Sequence, residues 1–130
     1  MASIFTRIIN REIPSFTVAE DDQYIAFLDI TPLVEGHVLV VPKKEVDYIF
    51  DLDDSTLEGL ILFSKKVAVG IREAIPCLRV GVTVVGLEVP HTHVHLVPLN
   101  HADDISFTHP RLTQSKEQLA ATAEKIRKAL

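Results

Sequence analysis

Apolar and polar positions recur along this chain with either a helical or a strand period, and the changes between the two mark out its elements. Near the start, Ile4, Phe5, Ile8 and Ile9 repeat at helical spacing over a short stretch that Pro14 is expected to end. Residues 15–20 and 24–29 read as two β-rich runs around the polar turn Asp21-Asp22-Gln23, which predicts a hairpin. A loop marked by Pro32 and Gly36 leads into residues 37–41, a β-branched third strand that stops at Pro42. Asp53-Asp54-Ser55 offers N-cap side chains, after which Leu57, Leu60, Ile61, Val67, Ala68, Ile71 and Ile75 keep helical spacing as far as Pro76. Two further strands are expected over 78–85 and 90–98, and a last helix over 115–130 carries Leu119, Ala123 and Ile126 on one stripe. The order predicts an α+β fold: an antiparallel five-stranded sheet with one long central helix and a C-terminal helix, the helices on one side.

Composition narrows the class. With 130 residues, 47% of them hydrophobic and 24% charged, the chain has the make-up of one folded domain, spanning 1–130, rather than of a disordered segment. Its apolar runs are far shorter than a membrane span needs, and Arg7, Asn10 and Arg11 interrupt any apolar leader, so neither a membrane partner nor secretion is expected. Cys77 is the single cysteine, which removes intramolecular disulfides and Cys-x-x-Cys zinc sites and fits a cytoplasmic location. A net charge of −5 argues against nucleic acid as a partner. Lys43, Lys44, Lys65, Lys66 and the Lys125-Arg127-Lys128 group read as solvated faces, and His101 and His109 as loop residues.

Three of the histidines fall at alternate positions, 91, 93 and 95. On a strand such residues share one face, which places neighbouring imidazoles roughly 6.6 Å apart, with Thr92, Val94 and Leu96 turned towards the core. An imidazole row packs no better than Val or Thr and repels itself when protonated, so chemistry explains it better than packing. Two chemistries use it. One is metal ligation, for which His37, His101, His109, Glu88 or Asp29 would have to complete the ligand set, none of them at diagnostic spacing. The other is nucleophilic attack on phosphorus by the middle histidine, His93, with His91 and His95 donating to the developing charge.

The run His91-Thr92-His93-Val94-His95-Leu96-Val97 resembles the histidine triad of the HIT superfamily, with Thr92 at a position that is usually apolar. The blocks Ile4-Phe5 to Ile13-Pro14, Ala26-Phe27-Leu28-Asp29-Ile30 and Gly36-His37 to Pro42-Lys43 follow in the order of its Hint-like branch. The resemblance implies a homodimer whose two sheets join into one, and a purine-nucleotide substrate handled without cofactor or metal. It implies cleavage of a nucleoside phosphoramidate or related α-phosphate bond through a nucleotidyl-histidine on His93. His91 and His95 then flank the reaction, His37 lines the phosphate side, Asp29 accepts from the ribose hydroxyls, and Phe5, Ile8, Phe27, Leu28 and Ile30 form the base slot.

The loop before the triad departs from the Hint-like pattern: it is shorter, and Glu88 stands where a Ser or Thr contacts phosphate oxygens. Glu88 is read as a surface or dimer-contact carboxylate, as a partner holding a flanking histidine through Nδ1, or as a proton donor to a leaving amine. Two other functions compete with a phosphoramidase: a dinucleoside polyphosphate hydrolase, and a non-catalytic purine-nucleotide-binding regulatory dimer.

Overall fold

Five antiparallel strands form the sheet in the order β1-β2-β3-β5-β4, in a computed structural model that describes residues 2–130. They are β1 (Thr17–Glu20), β2 (Tyr24–Leu28), β3 (Val38–Pro42), β4 (Arg79–Thr83) and β5 (Val94–Leu99). The helices are α1 (Ile4–Ile9), α2 (Asp54–Ala74) and α3 (Lys116–Lys128). This is the α+β arrangement expected. The last strand, however, starts at Val94 and not at residue 90, so His91 and His93 sit in the loop that feeds it.

Both faces of the central strands are buried, as the unbroken apolar runs of β2 and β3 require. Tyr24, Ala26, Val38, Val40, Val94 and Leu96 face one way and pack against Leu60, Val67 and Ile71 of α2 and Leu119, Ala123 and Ile126 of α3. Ile25, Phe27, Leu39 and Val41 face the other way, where Phe5 and Ile8 of α1 cover them. The helices therefore do not all lie on one side. A short helix can bury Phe5 and Ile8 only on an apolar surface, and the second face of the sheet supplies it.

The helix ends follow local chemistry. The Asp53 carboxylate accepts from Thr56 N–H to start α2, and Ser115 and Gln118 form a reciprocal box that starts α3. Ile61, expected on the inward stripe of α2, is exposed, while Phe63 and Ser64 face inward; one residue past Leu60 turns Ile61 by about 100°. A side chain at Gly59 would overlap the Tyr24 ring, whose hydroxyl donates to Thr56 O at 2.9 Å, so α2 reaches the sheet only because that position is glycine. Helix α1 stops well before Pro14. Arg11 takes a left-handed φ of 63°, Arg11 N–H bonds Ile8 O and Glu12 N–H bonds Arg7 O, a Schellman turn that satisfies the last carbonyls. Among the described residues, no helix is long and apolar enough to cross a membrane.

Candidate functional site

Register places the site on the α1 side of the sheet. His95 of β5 lies opposite Leu39 of β3 and Thr83 of β4, a row on the face away from α2. Upstream, the connection from β4 brings His93 back against α1, where its ring meets Phe5 edge-on at 4.9 Å and His95 edge-on at 5.0 Å. Thr92, in an apolar family position, is buried with its hydroxyl donating to Val46 O at 2.7 Å, so the departure leaves no unmet polar group.

Partners of the ring nitrogens fix the proton positions. His93 Nδ1 lies 2.7 Å from the His91 carbonyl oxygen, which can only accept; the proton is on Nδ1, and Nε2 keeps its lone pair. The next histidine has the opposite tautomer. Leu33 N–H donates to His37 Nδ1 at 3.1 Å, so His37 carries its proton on Nε2 and donates it to His95 Nδ1 at 2.9 Å. His95 is left with an N–H at Nε2. In this arrangement two adjacent imidazoles present a bare nitrogen and a donor. Burial holds His95 and His37 neutral: it lowers His95 to about 3, with His37 adding to the effect, and it lowers His37 to about 4 despite Asp29 nearby.

His91 does not belong to an exposed row. It is fully buried, its Nε2–H donates to Pro42 O at 2.7 Å, and its Nδ1 accepts from the Ser3 hydroxyl at 2.7 Å. Desolvation lowers its pKa. Ser3 is itself the N-cap of α1, accepting from Thr6 N–H, and its backbone N–H donates to Glu45 Oε1 at 2.7 Å. Glu45, Ser3 and His91 thereby tie the start of α1 to the end of β3.

Beside His93 and His95 opens a cleft of about 340 Å³. Of the residues expected at the site, Phe5, Ile8, Phe27, Leu28, Asp29, Ile30, Glu88, His93 and His95 line it, whereas His37 and His91 stand behind its wall. Glu88 is exposed on the rim. It holds no triad histidine by Nδ1, because those three nitrogens are taken by Ser3, the His91 carbonyl and His37. Asp29 accepts from Thr31 N–H through Oδ1 and from Arg111 through Oδ2 at 3.1 Å. Asp29, His37 and His95 bring ligand atoms within 4.8 Å of one another. They could hold a cation only by giving up the His37–His95 hydrogen bond and the pairing of Asp29 with Arg111.

A family model described as the HIT domain matches residues 10–102. The chain belongs to the HIT family, on its Hint-like branch. Among relatives of this HIT protein, an uncharacterised HIT-like protein of Borreliella burgdorferi is 37% identical over 111 residues, 80% of each chain. An adenosine 5′-monophosphoramidase of Schizosaccharomyces pombe is 31% identical over 128 residues, covering 97% of this chain and 96% of the relative. A crystal structure of a HIT-like protein involved in cell-cycle regulation from Bartonella henselae superposes with a TM-score of 0.86 at 35% identity, covering 98% of this chain and 96% of that one.

Sequence reasoning about the HIT protein missed Ser3, Glu45, Phe107 and Arg111. Ser3 carried a weak signal, an N-cap residue just before the first apolar pair. Phe107 and Arg111 carried none, since the segment between β5 and α3 has no period. It crosses the site all the same: the Phe107 ring lies 4.8 Å from that of His95, and Leu112 N–H bonds Pro32 O at 2.8 Å.

Proposed function

We propose that this HIT protein hydrolyses a nucleoside phosphoramidate, or a related ester of a nucleoside α-phosphate, through a nucleotidyl intermediate on His93. The observation that carries the reading is the pair of opposed tautomers at the cleft wall. A nucleophile needs a bare nitrogen whose ring is held from the other side, and His93 has it in Nε2. A phosphoryl oxygen gaining charge needs a donor, and His95 Nε2–H is one. In the first step His93 Nε2 forms a bond to phosphorus as the phosphorus–nitrogen bond breaks, and the departing nitrogen takes up a proton from solvent. In the second, water attacks phosphorus, the Nε2–phosphorus bond breaks, the nucleoside monophosphate leaves and the proton returns to solvent.

The apolar lining of the cleft suits a purine ring between Phe5, Ile8, Phe27, Leu28 and Ile30, and Asp29 at its edge suits ribose hydroxyls. His37 and His91 act as positioning residues: His37 sets the His95 tautomer, and His91 anchors the backbone whose carbonyl holds His93. The S. pombe relative bears the name of such an activity. The reading includes a homodimer joined through the free edge of β4, where Val82 is exposed on the same side of the sheet as the exposed Leu62 and Val69 of α2. It also includes a reducing, cytoplasmic setting, consistent with the free Cys77.

Incubation with adenosine 5′-phosphoramidate, with diadenosine polyphosphate as the comparison substrate, tests the reading. AMP should be released from the phosphoramidate in preference, and His93→Ala should abolish the release. Equal rates in the two proteins remove His93 as nucleophile. Preferential cleavage of the polyphosphate, or AMP binding without turnover, replaces the phosphoramidase by one of its competitors.

A further inference from the structure

An anionic α-phosphate entering this cleft meets few compensating charges. Two carboxylates, Asp29 and Glu88, line the cleft, and burial keeps the His95 imidazole beside them neutral. Arg111 is the one Lys or Arg among the lining residues. We infer that Arg111 binds the α-phosphate of the substrate and so makes the site selective for nucleotides over nucleosides, an inference that rests on the function proposed above.

The guanidinium is built in. One of its terminal nitrogens, Nη1, donates to Asp29 Oδ2 at 3.1 Å and to Thr31 O at 2.8 Å, and its carbon lies 5.1 Å from the centroid of Phe107. The same Phe107 ring touches His95, so arginine, aromatic ring and imidazole form a continuous wall. Nε and Nη2 are bonded to nothing among the described residues, which leaves a fork of donors for an anion. Arg111 lines both the main cleft and a smaller hollow of about 140 Å³ that adjoins it through Glu88, His93 and His95. Arg111 thus borders the same space as the His93 nucleophile. Because Asp29, Thr31 and Phe107 already order the side chain, little freedom is lost when a phosphate binds.

A purely structural role for Arg111, pinning the segment after β5 to Asp29, makes a different prediction. Calorimetric titration of AMP and adenosine into the wild type, Arg111→Met and Arg111→Lys separates the two. Methionine keeps the apolar stem against Phe107 and removes the charge. The inference expects Arg111→Met to weaken AMP by roughly tenfold or more while adenosine changes by less than about twofold, with Arg111→Lys in between. Equal losses for AMP and adenosine assign Arg111 to structure and overturn the inference. So does AMP affinity that is the same in wild type and Arg111→Met, which leaves the proposed function standing. Failure of the wild type to bind AMP overturns both.

Discussion

Acid should weaken this fold well before its carboxylates titrate, because folding buries three imidazoles, His37, His91 and His95, and the loss of water lowers the pKa of each. His37 falls from 6.5 to about 4 and His95 from 6.5 to about 3, with burial the largest cause for each. The sign follows from proton counts. Above pH 6.5 both states hold these rings neutral and the full stability is present; as pH falls, the unfolded chain gains protons that the folded one refuses, and stability drops until the folded values are reached. At pH 5 each ring alone amounts to about 2 kcal/mol, and about 4 kcal/mol for the pair is a large part of the 5–15 kcal/mol typical of a domain. The window from pH 6.5 to 5 is diagnostic because Glu20, Glu45, Asp104 and Glu124, all lowered by hydrogen bonds or ion pairs, lose their contributions only below it. Urea unfolding at pH 7, 6, 5.5 and 5 measures the effect. His37→Leu, although less stable at pH 7 for stranding Leu33 N–H and His95 Nδ1, should show a shallower slope, the remainder coming from His95 and His91. An unfolding free energy that stays constant from pH 7 to 5 in the wild type would refute the neutral His37–His95 pair.

Two other outcomes are expected. Ser3→Ala should cost about 1 kcal/mol in urea unfolding through the lost N-cap and lower kcat on the order of tenfold with KM little changed, while Ser3→Thr restores both; an unaltered kcat would cut His91 out of the positioning scheme. Sedimentation should give twice the chain mass for the wild type and the single-chain mass for Val82→Lys, whereas a monomeric wild type removes the joined sheet.

What the pattern along the chain revealed depended on how many residues repeated it. Helices α2 and α3, with their stripes ending in Ile71 and Ile126, and the buried strands β2 and β3 were legible because each repeats its period several times. Which side α1 takes was not legible, since Phe5 and Ile8 are equally apolar to either face of a sheet buried on both. The alternating histidines pointed to the site but not to the division of labour within it. That depends on whether each neighbour is a carbonyl, as for His93, or another ring, as for His95, and such contacts come from segments distant in sequence. Arg111 lay beyond reach for the same reason: its partners, Asp29 and Thr31, precede it by most of the chain and no spacing relates them.

Helix α1 is six residues long, too short to persist by itself in water, and it holds both Phe5 of the slot wall and the cap that fixes His91. Its detachment from the sheet opens the packing of Phe5 and Ile8 on Ile25, Phe27, Leu39 and Val41, the Phe5 contacts with His91 and His93, and the Ser3 bonds to Glu45 and His91, all outside the core that α2 and α3 cover. Local opening of this one turn-and-a-half is therefore expected to act as a fuse that dissolves the cleft wall and loosens His93 together, at a free-energy cost below that of global unfolding, which gives the cleft and the fold separate stabilities.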